Sequence, residues 1–225
     1  MFGNNPKRAA TTGTGDSLEI KNIFKTIQGE GPFAGQPAIF IRLGGCNLAC
    51  SFCDTDFEDF KTLELYEILN NVQELSINSR NLRSVNLAVI TGGEPFRQPI
   101  EQLCTRLIDL GYVVQIETNG TIYRDLPKEV HIVCSPKPGA GGYKTIREDL
   151  LERISAMKFL VAKNIRFYDS ISEVGQTKYN IPVYIQPIDL NDEELNQENI
   201  EFAIACSLET GSRLSIQIHK YLNIE

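Results

Sequence analysis

Short apolar runs alternate with amphipathic helical stretches along most of this 225-residue chain, and that alternation restricts the fold more than any single residue does. Pro37–Leu43 (PAIFIRL), Val85–Thr91, Val113–Thr118, His131–Ser135, Lys158–Val161, Val183–Gln186 and Leu214–Gln217 read as strands. Helical spacing runs through Thr62–Leu75, Pro99–Leu110, Ile146–Ile154, Ile165–Tyr179 and Asp192–Ser207, with Thr62 available as the first N-cap. Strands separated by helices pair in parallel beneath a helical layer, with right-handed crossovers expected. That strand count is too low for a closed eightfold barrel. The expected fold is therefore α/β, a partial, open TIM-like barrel of about six parallel strands with outer helices.

Residues 1–17 are rich in Gly, Thr and Asn and are expected to be a flexible segment, with 18–225 forming one domain. Neither a secretory pattern nor an apolar run of roughly 18 residues is present, so a cytoplasmic protein with no membrane association is expected. The net charge of −7 argues against a chain that neutralises phosphates, and no nucleic-acid partner is expected.

Residues with chemistry sit at strand ends: the Gly44–Thr55 loop, Gly92-Gly93-Glu94-Pro95, Glu117-Thr118-Asn119-Gly120, Ser135-Pro136-Lys137, Gln186-Pro187 and Gln217-Ile218-His219. In a parallel sheet these ends share one edge, where ligand sites lie. Three of the six cysteines, Cys46, Cys50 and Cys53, are spaced C-x3-C-x2-C. Scattered cysteines would give that spacing on the order of 0.004 times. A structural zinc site lacks a fourth nearby ligand, the only histidines being the distant His131 and His219. A disulfide would strand one thiol in a reducing compartment. The third reading is a [4Fe-4S] cluster on three thiolates, with one iron open to another ligand. Cys104, Cys134 and Cys206 lie among apolar neighbours and read as structural.

The cysteine spacing, with Phe52 before the last cysteine and Gly-Gly-Glu-Pro at a later strand end, resembles the radical S-adenosylmethionine (SAM) superfamily. Further motifs narrow the likeness: Thr26-Ile27-Gln28-Gly29-Glu30-Gly31, Ala38–Leu43, Cys53-Asp54-Thr55, Tyr184-Ile185-Gln186-Pro187 and His219-Lys220-Tyr221-Leu222. Together they are similar to the 7-carboxy-7-deazaguanine synthase family, from about Ile23 to the C-terminus. The resemblance implies conversion of 6-carboxy-5,6,7,8-tetrahydropterin to 7-carboxy-7-deazaguanine with loss of ammonia, by a homodimer supplied with electrons by a protein such as flavodoxin or ferredoxin. The implied cofactors are a [4Fe-4S] cluster, SAM and Mg²⁺. A radical SAM activase of a glycyl-radical enzyme is the alternative; it does not account for Gln28–Gly31 or Cys53–Thr55.

On the same basis Cys46, Cys50 and Cys53 hold the cluster and Thr55 holds Mg²⁺. SAM contacts fall on Phe52, Cys53, Asp54, Gly92, Gly93, Glu94, Glu117, Asn119, Ser135, Pro136, Lys137, Gln186 and Pro187. Glu94 is expected to meet the SAM ammonium, and Glu117 and Asn119 the ribose. Substrate contacts fall on Ile27, Gln28, Gly29, Arg42, Thr91 and the terminal Glu225, whereas His219 reads as structural. Family members usually end in a small residue or Pro, so Glu225 is a departure that adds a second carboxylate.

Overall fold

A computed structural model describes residues 5–224 except Asp54. Its strands are β1 (Ser17–Ile27), β2 (Pro37–Leu43), β3 (Lys61–Glu64), β4 (Leu87–Gly92), β5 (Val113–Thr118), β6 (His131–Cys134), β7 (Ile154–Val161), β8 (Val183–Pro187) and β9 (Arg213–Leu214). The helices are α1 (Leu65–Ser76), α2 (Glu101–Asp109), α3 (Glu148–Leu151), α4 (Glu193–Thr210) and α5 (Ile218–Leu222). The strands form one sheet in the order β3-β1-β2-β4-β5-β6-β7-β8-β9. From β2 to β9 every pairing is parallel, while β1 pairs antiparallel with both β2 and β3. Its edges, β3 and β9, do not pair with each other, so the barrel is open as expected.

The sheet's two faces differ in chemistry because strand side chains alternate. On β2, Ile39, Ile41 and Leu43 enter the main apolar core with Ile90, Ile116 and Phe159. That core also takes Ile68 and Val72 of α1 and Leu103 and Leu107 of α2. The opposite face lines the barrel interior. Its lower part is closed by apolar groups, Ala38, Leu87 and Val89 with Phe33 and Phe40 packed on them. Above them lies a band of polar residues.

Several elements depart from the sequence reading. Thr62 does not cap α1, because Lys61–Glu64 pairs with Ser17–Ile20 as an edge strand. The helix instead starts with a reciprocal capping box between Glu64 and Glu67, which satisfies two backbone donors at once. The third helix shrinks to four residues, and β7 begins at Ile154, ahead of the expected Lys158. No helix forms between residues 165 and 179. Turns there are pinned by Ile146 N–H to Val174 O and by Ala162 N–H to Tyr168 O. The expected strand over 214–217 is confined to Arg213–Leu214, and the chain then turns into α5.

Residues 5–16, expected to be flexible, are held against the rest of the protein. The Arg8 N–H donates to Cys46 O, the Thr11 N–H to Arg97 O, and the Arg97 and Arg124 guanidiniums donate to Ala9 O and Thr11 O. A polar composition hid this docking, which uses backbone groups. Among the described residues no helix is long and apolar enough to cross a membrane.

Candidate active site

The loops at the C-terminal ends of β2, β4, β5, β6 and β8 surround two adjoining chambers. Cys46, Cys50, Phe52 and Cys53 line the first, facing Gly92, Gly93, Asn119, Ser135, Lys137, Gln186 and Pro187. The second is lined by Ile27, Gln28, Arg42, Thr55 and His219. Glu30, Thr91, Gly92, Glu117, Lys158 and Gln217 border both. Strand alternation produces this junction: Glu117 on β5 and Lys158 on β7 point into the interior, and Glu30 follows β1 as the chain turns beneath it.

The first chamber depends on close backbone approach. A Cβ on Gly93 would lie 1.8 Å from Gly45 O, so only glycine lets the β4 loop pack on the cysteine loop. The contact is completed by Glu94 N–H to Gly45 O at 3.1 Å. Donors point at the thiols: Leu48 N–H lies 3.4 Å and Asn119 Nδ2 3.9 Å from Cys46 Sγ. Burial pushes the Cys46 thiol up to about 11, the neighbouring thiols adding to the shift. A bound cationic centre would favour the thiolate there. Among the described residues no three His, Cys, Asp or Glu side chains gather around a single-ion site. The thiols line one wall of the chamber, and with the glycine cradle and the donors at Cys46 their chemistry fits an iron–sulfur cluster.

Glu94 is not in the cavity wall. It is fully buried, one carboxylate oxygen accepting from Phe96 N–H and Thr118 Oγ1 and the other from Asn119 N–H at 2.7 Å. Because it opens the tight turn Pro95–Arg97, its side chain turns back to tie the β4 and β5 loops together. Burial raises its pKa, against those three hydrogen bonds. Asn119 likewise faces Cys46 and Asn47, bonding the Asn47 Oδ1 at 2.9 Å. Lys137 Nζ donates to Ser135 O and Oγ, at 2.8 and 2.6 Å. Pro136 is absent from the cavity lining.

At the junction Lys158 bonds Glu30 and lies 3.1 Å from Glu117. Burial alone would raise Glu30, but the Lys158 charge and hydrogen bond, with Gln217, hold it down at about 2. Glu117 goes up, because burial outweighs the pull of Lys158 and Glu30 repels it. Lys158 stays charged between the two carboxylates, its pKa raised despite burial. Two carboxylates against one ammonium leave this region acidic, while the Arg42 guanidinium, 4.9 Å over the Phe24 ring, makes another wall of the second chamber basic.

Gly29 lies just outside the lining. A Cβ there would sit 2.1 Å from His219 Nδ1, so glycine lets the C-terminal segment close over the chamber, secured by Ile218 N–H to Gly29 O. His219 is therefore a cavity residue as well as a packing one. Asp54 and Glu225 lie outside the described residues. The sequence reading gave no site role to the cavity residues Asn5, Glu30 and Lys158, and it placed Gln217 at the ligand edge without a role. Glu30 stood inside the Thr26–Gly31 motif and Lys158 headed an apolar run, whereas Asn5 carried no signal.

Comparison with known proteins places this arrangement. The radical SAM superfamily model matches residues 40–195. The chain is 62% identical to the 7-carboxy-7-deazaguanine synthase of Rickettsia prowazekii (strain Madrid E), covering all of this chain and 96% of that one. It is 39% identical to the enzyme of the same name from Rhodospirillum rubrum, with both chains covered in full. The crystal structure of QueE from Escherichia coli superposes with a TM-score of 0.72 at 28% identity, over 89% of this chain and 94% of that chain.

Proposed function

The chain belongs to the radical SAM superfamily and, within it, to the 7-carboxy-7-deazaguanine synthase family, and from that we propose how its two chambers divide the work. The reaction is conversion of 6-carboxy-5,6,7,8-tetrahydropterin to 7-carboxy-7-deazaguanine with loss of ammonia. A glycyl-radical activase, the competing reading, finds no support among these relatives. A cluster with SAM, when bound, supplies hydrogen abstraction from the substrate. Cys46, Cys50 and Cys53 are the residues to hold that cluster. Gly92 and Gly93 offer backbone groups to the polar end of SAM, while Ser135, Lys137 and Gln186 bind its remaining polar atoms beside Phe52.

In the second chamber Arg42 takes the substrate carboxylate, and the acidic pair Glu30 and Glu117 faces the guanidine-like edge of the pterin. Lys158 holds both carboxylates in place and Gln28 adds a polar contact to the ring. Thr55, which lines the same chamber as Arg42, offers a hydroxyl to Mg²⁺, a hard cation that prefers oxygen ligands. We also propose a cytoplasmic homodimer that takes its electrons from a small protein such as flavodoxin or ferredoxin.

One observation carries this reading: the cysteine chamber and the charged chamber adjoin, with Glu30, Glu117 and Lys158 in the walls of both. Abstraction and substrate recognition can therefore occur within contact distance. The test is anaerobic reconstitution followed by incubation with SAM, reductant and the carboxytetrahydropterin, with products read by mass spectrometry. The 7-carboxy-7-deazaguanine mass is expected. Intact cluster and SAM binding without that product would refute the assignment.

A further inference from the structure

We propose that Asn5, on the docked N-terminal segment, is a positioning residue for the cluster, donating through its amide to both the Cys53 sulfur and the Thr55 carbonyl. Asn5 Nδ2 lies 2.9 Å from Thr55 O and 3.9 Å from Cys53 Sγ. The Cys53 sulfur itself is 3.5 Å from the same carbonyl, at donor distance for a thiol. As a cluster ligand Cys53 is a thiolate and has no proton to give. Sulfur and oxygen would then face each other as two electron-rich atoms. The Asn5 amide carries two protons and can direct one to each.

The position of Asn5 is fixed by its neighbours. Lys7 forms a parallel bridge with Cys46, and Arg8 N–H donates to Cys46 O at 2.7 Å. The Arg8 guanidinium reaches Glu58 and stacks 5.0 Å over Phe60. The segment is thus fastened to the first ligand residue while its Asn5 side chain meets the last. Because Thr55 follows Cys53 by two residues, the same amide also orients the loop proposed to carry Mg²⁺.

Hydrogen bonds to cluster sulfurs favour the reduced, more negative state and raise the reduction potential. The inference rests on the cluster assignment to Cys46, Cys50 and Cys53. Its test is the midpoint potential of the reconstituted cluster, followed by electron paramagnetic resonance in an anaerobic redox titration, for wild type, Asn5→Ala and Asn5→Asp. Both variants should shift to more negative potential, and Asn5→Asp further, since it keeps the shape but replaces the donor with an anion. Greater iron loss on gel filtration in the same order counts equally in favour. Wild-type potential and iron retention in both variants would overturn the role of Asn5 alone. A wild-type protein that assembles no cluster would overturn the cluster assignment, and this inference with it.

Discussion

At the scale of single residues, the three clustered cysteines differ from Cys104, Cys134 and Cys206 in lining the cavity. Cys104 and Cys134 are fully buried and burial raises both thiols, whereas Cys50 and Cys53 are partly open to the cavity. Cys50→Ala should abolish iron binding and the brown absorbance after reconstitution, and Cys104→Ala should retain both. Equal losses in the two variants would mean that the ligand set is wrong. Arg42→Ala removes one charge-assisted contact, which is worth roughly 1.5–3 kcal/mol. The substrate KM should therefore rise about 10- to 100-fold, with cluster content and SAM binding unchanged; a wild-type KM would remove Arg42 from recognition.

Glu30 gives a pH prediction. Its carboxyl is held at about 2 in the folded protein and near the ordinary value of about 4.3 when unfolded, so its stabilising contribution is complete above about 4.3 and is lost as pH falls towards 2. In urea denaturation at stepped pH, Glu30→Gln should flatten that acid limb. An identical pH slope in wild type and variant would show that the Lys158 contact contributes nothing to folding.

At the scale of elements, the strands and the cysteine loop could be read directly because apolar runs, alternation and ligand spacing are local patterns. What escaped was contextual. Lys158 looked like the first residue of a strand, and only its pairing with Tyr184 on β8 turns it inward against Glu30 and Glu117. Glu94 looked like a ligand because it follows two glycines, yet the turn after it and the β5 loop take up its two carboxylate oxygens. The span 165–179 has helical spacing but is folded by contacts with residues 146 and 162, which no local pattern reveals. Helix α5 is too short to show a period, and its placement depends on Gly29. Gly29→Ala should push His219 away and raise the substrate KM with little change in SAM binding, and so should removal of residues 222–225. Substrate affinity at the wild-type level in both variants would reduce the C-terminal segment to packing.

At the scale of the whole molecule, the cysteine loop is joined to distant parts of the chain: residues 5–8 on one side, the β4 loop on another and the β5 loop through Asn119. A ligand that binds only the folded form stabilises it by mass action, so reconstituted protein should melt several degrees above the apo form in anaerobic scanning fluorimetry. Coincident melting curves would mean that the bound group has no preference for the folded form over the unfolded one. The sheet's outermost strands lead to a different consequence. β3 has four residues, mostly exposed and polar, and β9 only two. Neither of these two strands offers a stray chain enough free backbone groups to template an added strand, which limits edge-on aggregation at β3 and β9 while the barrel stays open.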